Sequence, residues 1–191
     1  MPIDGPRIEA AVTELLSAIG EDPARPGLAG TPRHVADAFA EFFSGVGGDP
    51  AAPLGDTVAL DAQQTGELVM LRDIAFRSIC EHHLLPFSGL AHLAYLPVDR
   101  AVGLGRLVQS LEVLAARPQL QERLGDELAE TIDAALAPRG VLVVLDARHE
   151  CVAARGPRQS GTTTVTVAAR GELAEPATQA GVLALIGGGT A

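Results

Sequence analysis

Both cysteines of the chain stand close to histidines: Cys80-Glu81-His82-His83 forms one group and His149-Glu150-Cys151 another. Zinc accepts thiolate and imidazole, and a catalytic site typically takes three protein ligands and leaves the fourth position to water. Cys80 and His83 can reach one ion from a single turn, and Cys151 completes a three-ligand set. His82 and His149 are then left over for proton transfer. The same donors also fit a closed structural site with His149 or His82 as fourth ligand, and each cysteine taken alone fits a small buried hydrophobe. Arg155-Gly156-Pro157-Arg158 follows Cys151 and reads either as a surface turn or as a guanidinium pair for phosphate or carboxylate. Gln121-Glu122 lie off the apolar stripe of their segment, where a Glu is ordinarily a solvated charge.

These groups must be positioned by elements that the hydrophobic pattern predicts. Ile8, Val12, Leu15, Leu16 and Ile19 give a helical stripe over about 7–19, and Val35, Phe39, Phe42 and Phe43 give a second, with Thr31 expected as N-cap and Pro32 at N1. After a Gly-, Pro- and Asp-rich loop to about Thr65, alternation from Leu68 to Cys80 and the run FSGLAHLAYLP predict an antiparallel pair of strands joined by EHHLLP. Two helical stripes follow, Leu104 to Ala115 and Leu120 to Leu136, the second with Pro118 at N1. VLVVLDARHEC predicts a strand that puts His149 and Cys151 on one face, and Thr162 to Val167 predicts another. The order ααββααββ argues for an α+β fold with an antiparallel sheet. The tail from Ala174 is expected to fray.

Composition bounds the partners. The 191 residues hold 24 Asp and Glu against 14 cations, a net charge of −10, which argues against bulk binding to nucleic acid or an anionic membrane. Every cation is Arg, so an anion site must be made of guanidinium groups or backbone N–H groups. At 47% hydrophobic, the chain can build a core of one domain, and disordered or collagen-like classes are excluded. With no basic leader and no long apolar run, a soluble cytoplasmic protein is expected, whose cysteines are thiols or metal ligands rather than a disulfide.

Taken together, CEHHLLPFSG, GLGRL, RPQLQERL, RHECVAARG and TTTVT resemble GTP cyclohydrolase I, in the same order and at matching separations. EDPARPGLAGTPRHVADAF resembles the N-terminal signature of that family, so the likeness runs from about Asp22 to Gly171. The resemblance implies a zinc-dependent hydrolase that opens GTP at C8, releases formate and rearranges the product to 7,8-dihydroneopterin triphosphate. It implies the tunnelling fold, with residues 1–60 as an N-terminal helical segment, 61–175 as a ββααββ catalytic domain and 176–191 as a flexible tail. It also implies a homodecamer with active sites at subunit interfaces. By position, Cys80, His83 and Cys151 match the zinc ligands and His82 and His149 the catalytic histidines. Gln121 and Glu122 match the guanine-recognition pair, and Arg106 and Arg155 the triphosphate contacts.

The chain departs from the pattern in places. Gly105-Arg106 stands where the family usually has Ser-Lys, Gln109 where it often has Arg, and His34 where the TP-x-R-V-A signature has Arg. Weaker triphosphate binding is therefore expected, with Arg158 available to compensate. The alternatives are a paralogue that stops at a ring-opened product or uses another guanine nucleotide, and a non-catalytic zinc-binding assembly partner. Intact Glu122, His82 and His149 argue against the last.

Overall fold

The structure, a computed structural model, describes residues 3–61 and 66–187; the end of the expected loop at 62–65 and the last residues of the expected tail lie outside it. Helix α1 (Gly5–Ala18) is capped by Asp4, whose carboxylate accepts the Arg7 N–H at 3.1 Å. It packs on α2 (Thr31–Phe42). The cap expected of Thr31 does not form: Gly30 is the N-cap, and Thr31 is already the first helical residue.

The centre is a five-stranded sheet in the order β5-β2-β3-β6-β7, made of β2 (Val69–Cys80), β3 (Pro86–Leu96), β5 (Pro118–Gln119), β6 (Gly140–His149) and β7 (Thr164–Gly171). Strands β1 (Thr57–Ala59) and β4 (Arg100–Val102) pair separately. All neighbours in the large sheet are antiparallel except β5, which runs parallel to the end of β2. Helices α3 (Leu104–Ala115) and α4 (Gln121–Leu136) cover one face. Their Leu107, Leu111, Leu124, Leu128 and Ile132 pack on Phe87, Leu93, Val143 and Leu145, and burying each such side chain contributes roughly 1.5–3 kcal/mol. The other face buries Ala94, Leu96, Leu142 and Val144, so β6 is covered on both sides for much of its length and reads as a continuous apolar run.

The ββααββ order with an antiparallel sheet is the α+β architecture expected. Two further local expectations fail. Pro118 does not start a helix: Pro118–Gln119 is the short strand β5, and the Glu81 N–H donates to the Gln119 carbonyl at 3.0 Å. A proline is tolerated there because the strand lies at the sheet edge. The segment 176–187 is not a frayed tail but helix α6 (Pro176–Gly187), with Val182 buried and Leu183 and Ile186 packed on the second face. Arg72 also donates to the Leu185 carbonyl at 2.8 Å. Among the described residues, no helix is long and apolar enough to cross a membrane.

Candidate functional site

The β2–β3 connection carries the first donors. The Cys80 N–H donates to the Leu85 carbonyl and the Cys80 carbonyl accepts the Leu84 N–H, both at 2.9 Å, which closes the loop into a tight turn. Leu84 takes φ 51°, a left-handed conformation that the turn requires. Cys80 is thereby buried at the strand end, while His82 and His83 stand exposed, their rings edge to face at 6.2 Å. Arg123 of α4 ties this loop down, pairing with Glu81 and donating to Gln119 Oε1 at 2.9 Å.

Cys151 reaches the same place by a route that alternation did not anticipate. The strand ends at His149, and Glu150–Ala153 turn into the short helix α5, so His149 and Cys151 do not share a strand face. One ligand atom from each of Cys80, His83 and Cys151 lies within 4.8 Å of the others. Burial, followed by the neighbouring Cys80 thiol, pushes the Cys151 thiol up. A bound divalent cation favours the thiolate form of the cysteines that hold it. The donor set therefore fits a metal ion that accepts thiolate and imidazole. Arg155 adds a cation at this group, its Nη1 3.1 Å from His83 Nε2; because a guanidinium only donates, Nε2 is the acceptor.

The second donor cluster is built differently. His149 closes β6 directly opposite Phe87 in the β3–β6 register, and the two rings stack at 4.6 Å with an interplanar angle of 2°. Its Nε2 lies 2.7 Å from Gln121 Oε1. Gln121, the first residue of α4, is only 1% exposed, and its amide nitrogen lies 3.0 Å from the Leu145 carbonyl and 2.7 Å from the Thr164 carbonyl. Burial holds the His149 pKa below the usual histidine value, and the Glu122 carboxylate opposes that shift. Glu122 itself is exposed in the first turn of α4. It borders a cleft of about 360 Å³ that includes Asp126, Thr166 and Arg170.

Arg106 stands apart from these groups. It lies in the first turn of α3, donating to Gln109 Oε1 at 3.3 Å and pairing with Asp56 at 3.4 Å. The end of α3 that touches β2 is Ala115, whose carbonyl accepts from Ser78, roughly 14 Å further along the helix axis at the standard rise. Within one chain, then, the predicted residues form one assembled region around Cys80, His83, Cys151 and Arg155, a second around Gln121 and His149, and a separate Arg106. Sequence reasoning missed Phe87, Thr164 and the Glu81–Arg123 pair. Only the strand register could have exposed the first two.

The family model described as GTP cyclohydrolase I matches residues 8–187. A GTP cyclohydrolase 1 of Leifsonia xyli subsp. xyli is 61% identical over 188 residues, covering 98% of each chain. One of Rhodopirellula baltica is 48% identical over 185 residues, covering 96% of this chain and 80% of its own. Among solved structures, the archaeosine synthase QueF-Like in the apo form aligns with a TM-score of 0.44 at 20% identity, over 56% of this chain and 97% of that one.

Proposed function

The chain belongs to the GTP cyclohydrolase I family, and from that premise we propose a zinc-dependent hydrolysis of GTP at C8 that releases formate and ends in 7,8-dihydroneopterin triphosphate. The observation that carries the reading is the convergence of Cys80, His83 and Cys151 within 4.8 Å, from elements far apart in sequence. These three residues would hold the zinc. When bound, the ion supplies the Lewis acidity that makes water nucleophilic near neutral pH.

The chain's own groups do the rest. Glu122 accepts hydrogen bonds from guanine N1–H and the exocyclic amine, a pair of donors that adenine lacks at those positions. An imidazole delivers a proton to the purine as water attacks C8 and C8–N9 breaks, and again as a second water cleaves C8–N7 to free formate, and then handles protons at the sugar as the ribose opens and rearranges; His149 and His82 take these roles. Arg155 and Arg106 bind the triphosphate as guanidinium forks. Residues 61–175 form the catalytic unit, with 1–60 as a helical N-terminal segment.

A closed ring of subunits, ten chains in two rings, completes the site. Two features support this: among the described residues Arg106 contacts Gln109 and Asp56 and none of the metal-ligand group, and both outer strands of the sheet offer unpaired backbone. Among the described residues strand β7 has no outer neighbour, and it exposes Val165 and Val167, while β5 covers only the last residues of β2. Incubating the zinc-loaded protein with GTP and analysing the products by mass tests the reading. Formate with dihydroneopterin triphosphate is expected. A ring-opened nucleotide would assign a truncated reaction, and unchanged GTP would overturn the assignment.

A further inference from the structure

We propose that Gln121 is a positioning residue whose side-chain amide locks His149 as the Nε2–H tautomer, leaving Nδ1 as the nitrogen that exchanges protons with the substrate. The inference rests on the reading of His149 as a proton-transfer group and adds which of its atoms works, and what selects it.

The argument is one of donors and acceptors. The Gln121 amide is 1% exposed and faces two backbone carbonyls, Leu145 O at 3.0 Å and Thr164 O at 2.7 Å, with Thr166 Oγ1 at 3.2 Å. Carbonyl oxygens only accept, so the NH₂ end must face them. Turning the amide over would set Oε1 against two carbonyl oxygens and bury unsatisfied groups on both sides. Oε1 is thereby held toward His149 Nε2, at 2.7 Å. An amide oxygen cannot donate, so Nε2 must carry the hydrogen in either charge state of the ring. Among the described residues, Nδ1 has no hydrogen-bond partner within the chain. The ring plane is set independently by the stack on Phe87.

This assignment changes the role of Gln121. Both N–H groups and the carbonyl oxygen of its side chain are spent within the chain, across α4, β6 and β7. Base recognition through a side chain therefore falls to Glu122, and Gln121 acts through His149.

The test uses the zinc-loaded protein with ¹⁵N-labelled histidine. Long-range ¹H–¹⁵N spectra, with the His149 signals assigned by comparison with His149→Asn, should show the Nε2–H tautomer. In Gln121→Met, close in size but unable to accept that bond, the Nε2–H tautomer should lose its dominance. For this variant kcat should fall by tenfold or more, within the ~10²–10⁴ that a positioned acid–base group provides, at unchanged zinc content. KM for GTP should stay within about twofold, since no substrate contact is removed. An Nδ1–H tautomer in the unmodified protein overturns the proposal, and that measurement does not depend on whether the variant folds. An unchanged tautomer in folded Gln121→Met, or a raised KM at constant kcat, overturns it as well. Full activity in His149→Ala would instead overturn the underlying reading of His149, whatever the tautomer.

Discussion

The two halves of the site differ in how much of their geometry is settled before a ligand arrives. Around His149, a buried amide, two backbone carbonyls and a stacked phenyl ring fix an imidazole from several sides. Around Arg106 and Arg155, guanidinium groups on exposed surface hold stand-in partners, Asp56, Gln109 and the His83 ring. The first half sits where β3, β6, β7 and α4 meet, so its polar atoms are forced to find partners inside the chain. The second half sits at a helix start and a surface turn, where water competes for every contact and an ion pair holds little. In the proposed reaction the imidazole half is preorganised by the chain itself, whereas the phosphate half keeps only exposed, exchangeable partners.

The comparison is easiest to break at the candidate metal ligands, Cys80, His83 and Cys151. Cys151→Ala should abolish both turnover and metal binding, because two remaining ligands do not make a stable zinc site; full metal stoichiometry in that variant would remove Cys151 from the set. His149→Ala should lower kcat by ~10²–10⁴ while keeping the metal, as should His82→Ala. If His149→Ala emptied the site instead, the closed four-ligand arrangement would replace the open one. Glu122→Gln should reduce kcat/KM for GTP by roughly ten- to a hundredfold, the cost of losing a charge-assisted pair worth about 1.5–3 kcal/mol. Unchanged kinetics would place base recognition elsewhere.

The phosphate half should respond more mildly, and in the direction of gain. Asp56→Asn should lower KM for GTP by no more than about fivefold, since it removes an exposed competitor for Arg106. Gly105→Ser with Gln109→Arg should lower KM further, and a Cβ at Gly105 meets no atom within 4 Å outside the helix's own backbone. The gain should shrink as salt is raised. If neither variant improves KM, the phosphate half is as complete as the base half and the contrast fails.

How much of this was legible in the chain depends on the reach of each interaction. Residue types, the donor spacing Cys80-x-x-His83, the helical stripes of α3 and α4 and the alternation of β2 and β3 are local properties, and they determined the α+β class and the candidate residues. The likeness of several ordered motifs determined the family. Other features were decided only when the chain closed on itself. Cys151 meets Cys80 through a helical turn that follows the strand, Pro118 joins β2 instead of starting α4, and α6 forms because Val182 and its neighbours find an apolar face to cover. Above all, the partners of Gln121 are backbone carbonyls of β6 and β7. A backbone carbonyl is present at every residue and leaves no mark in an amino-acid sequence, so which one a buried amide reaches is set by strand register and helix placement alone.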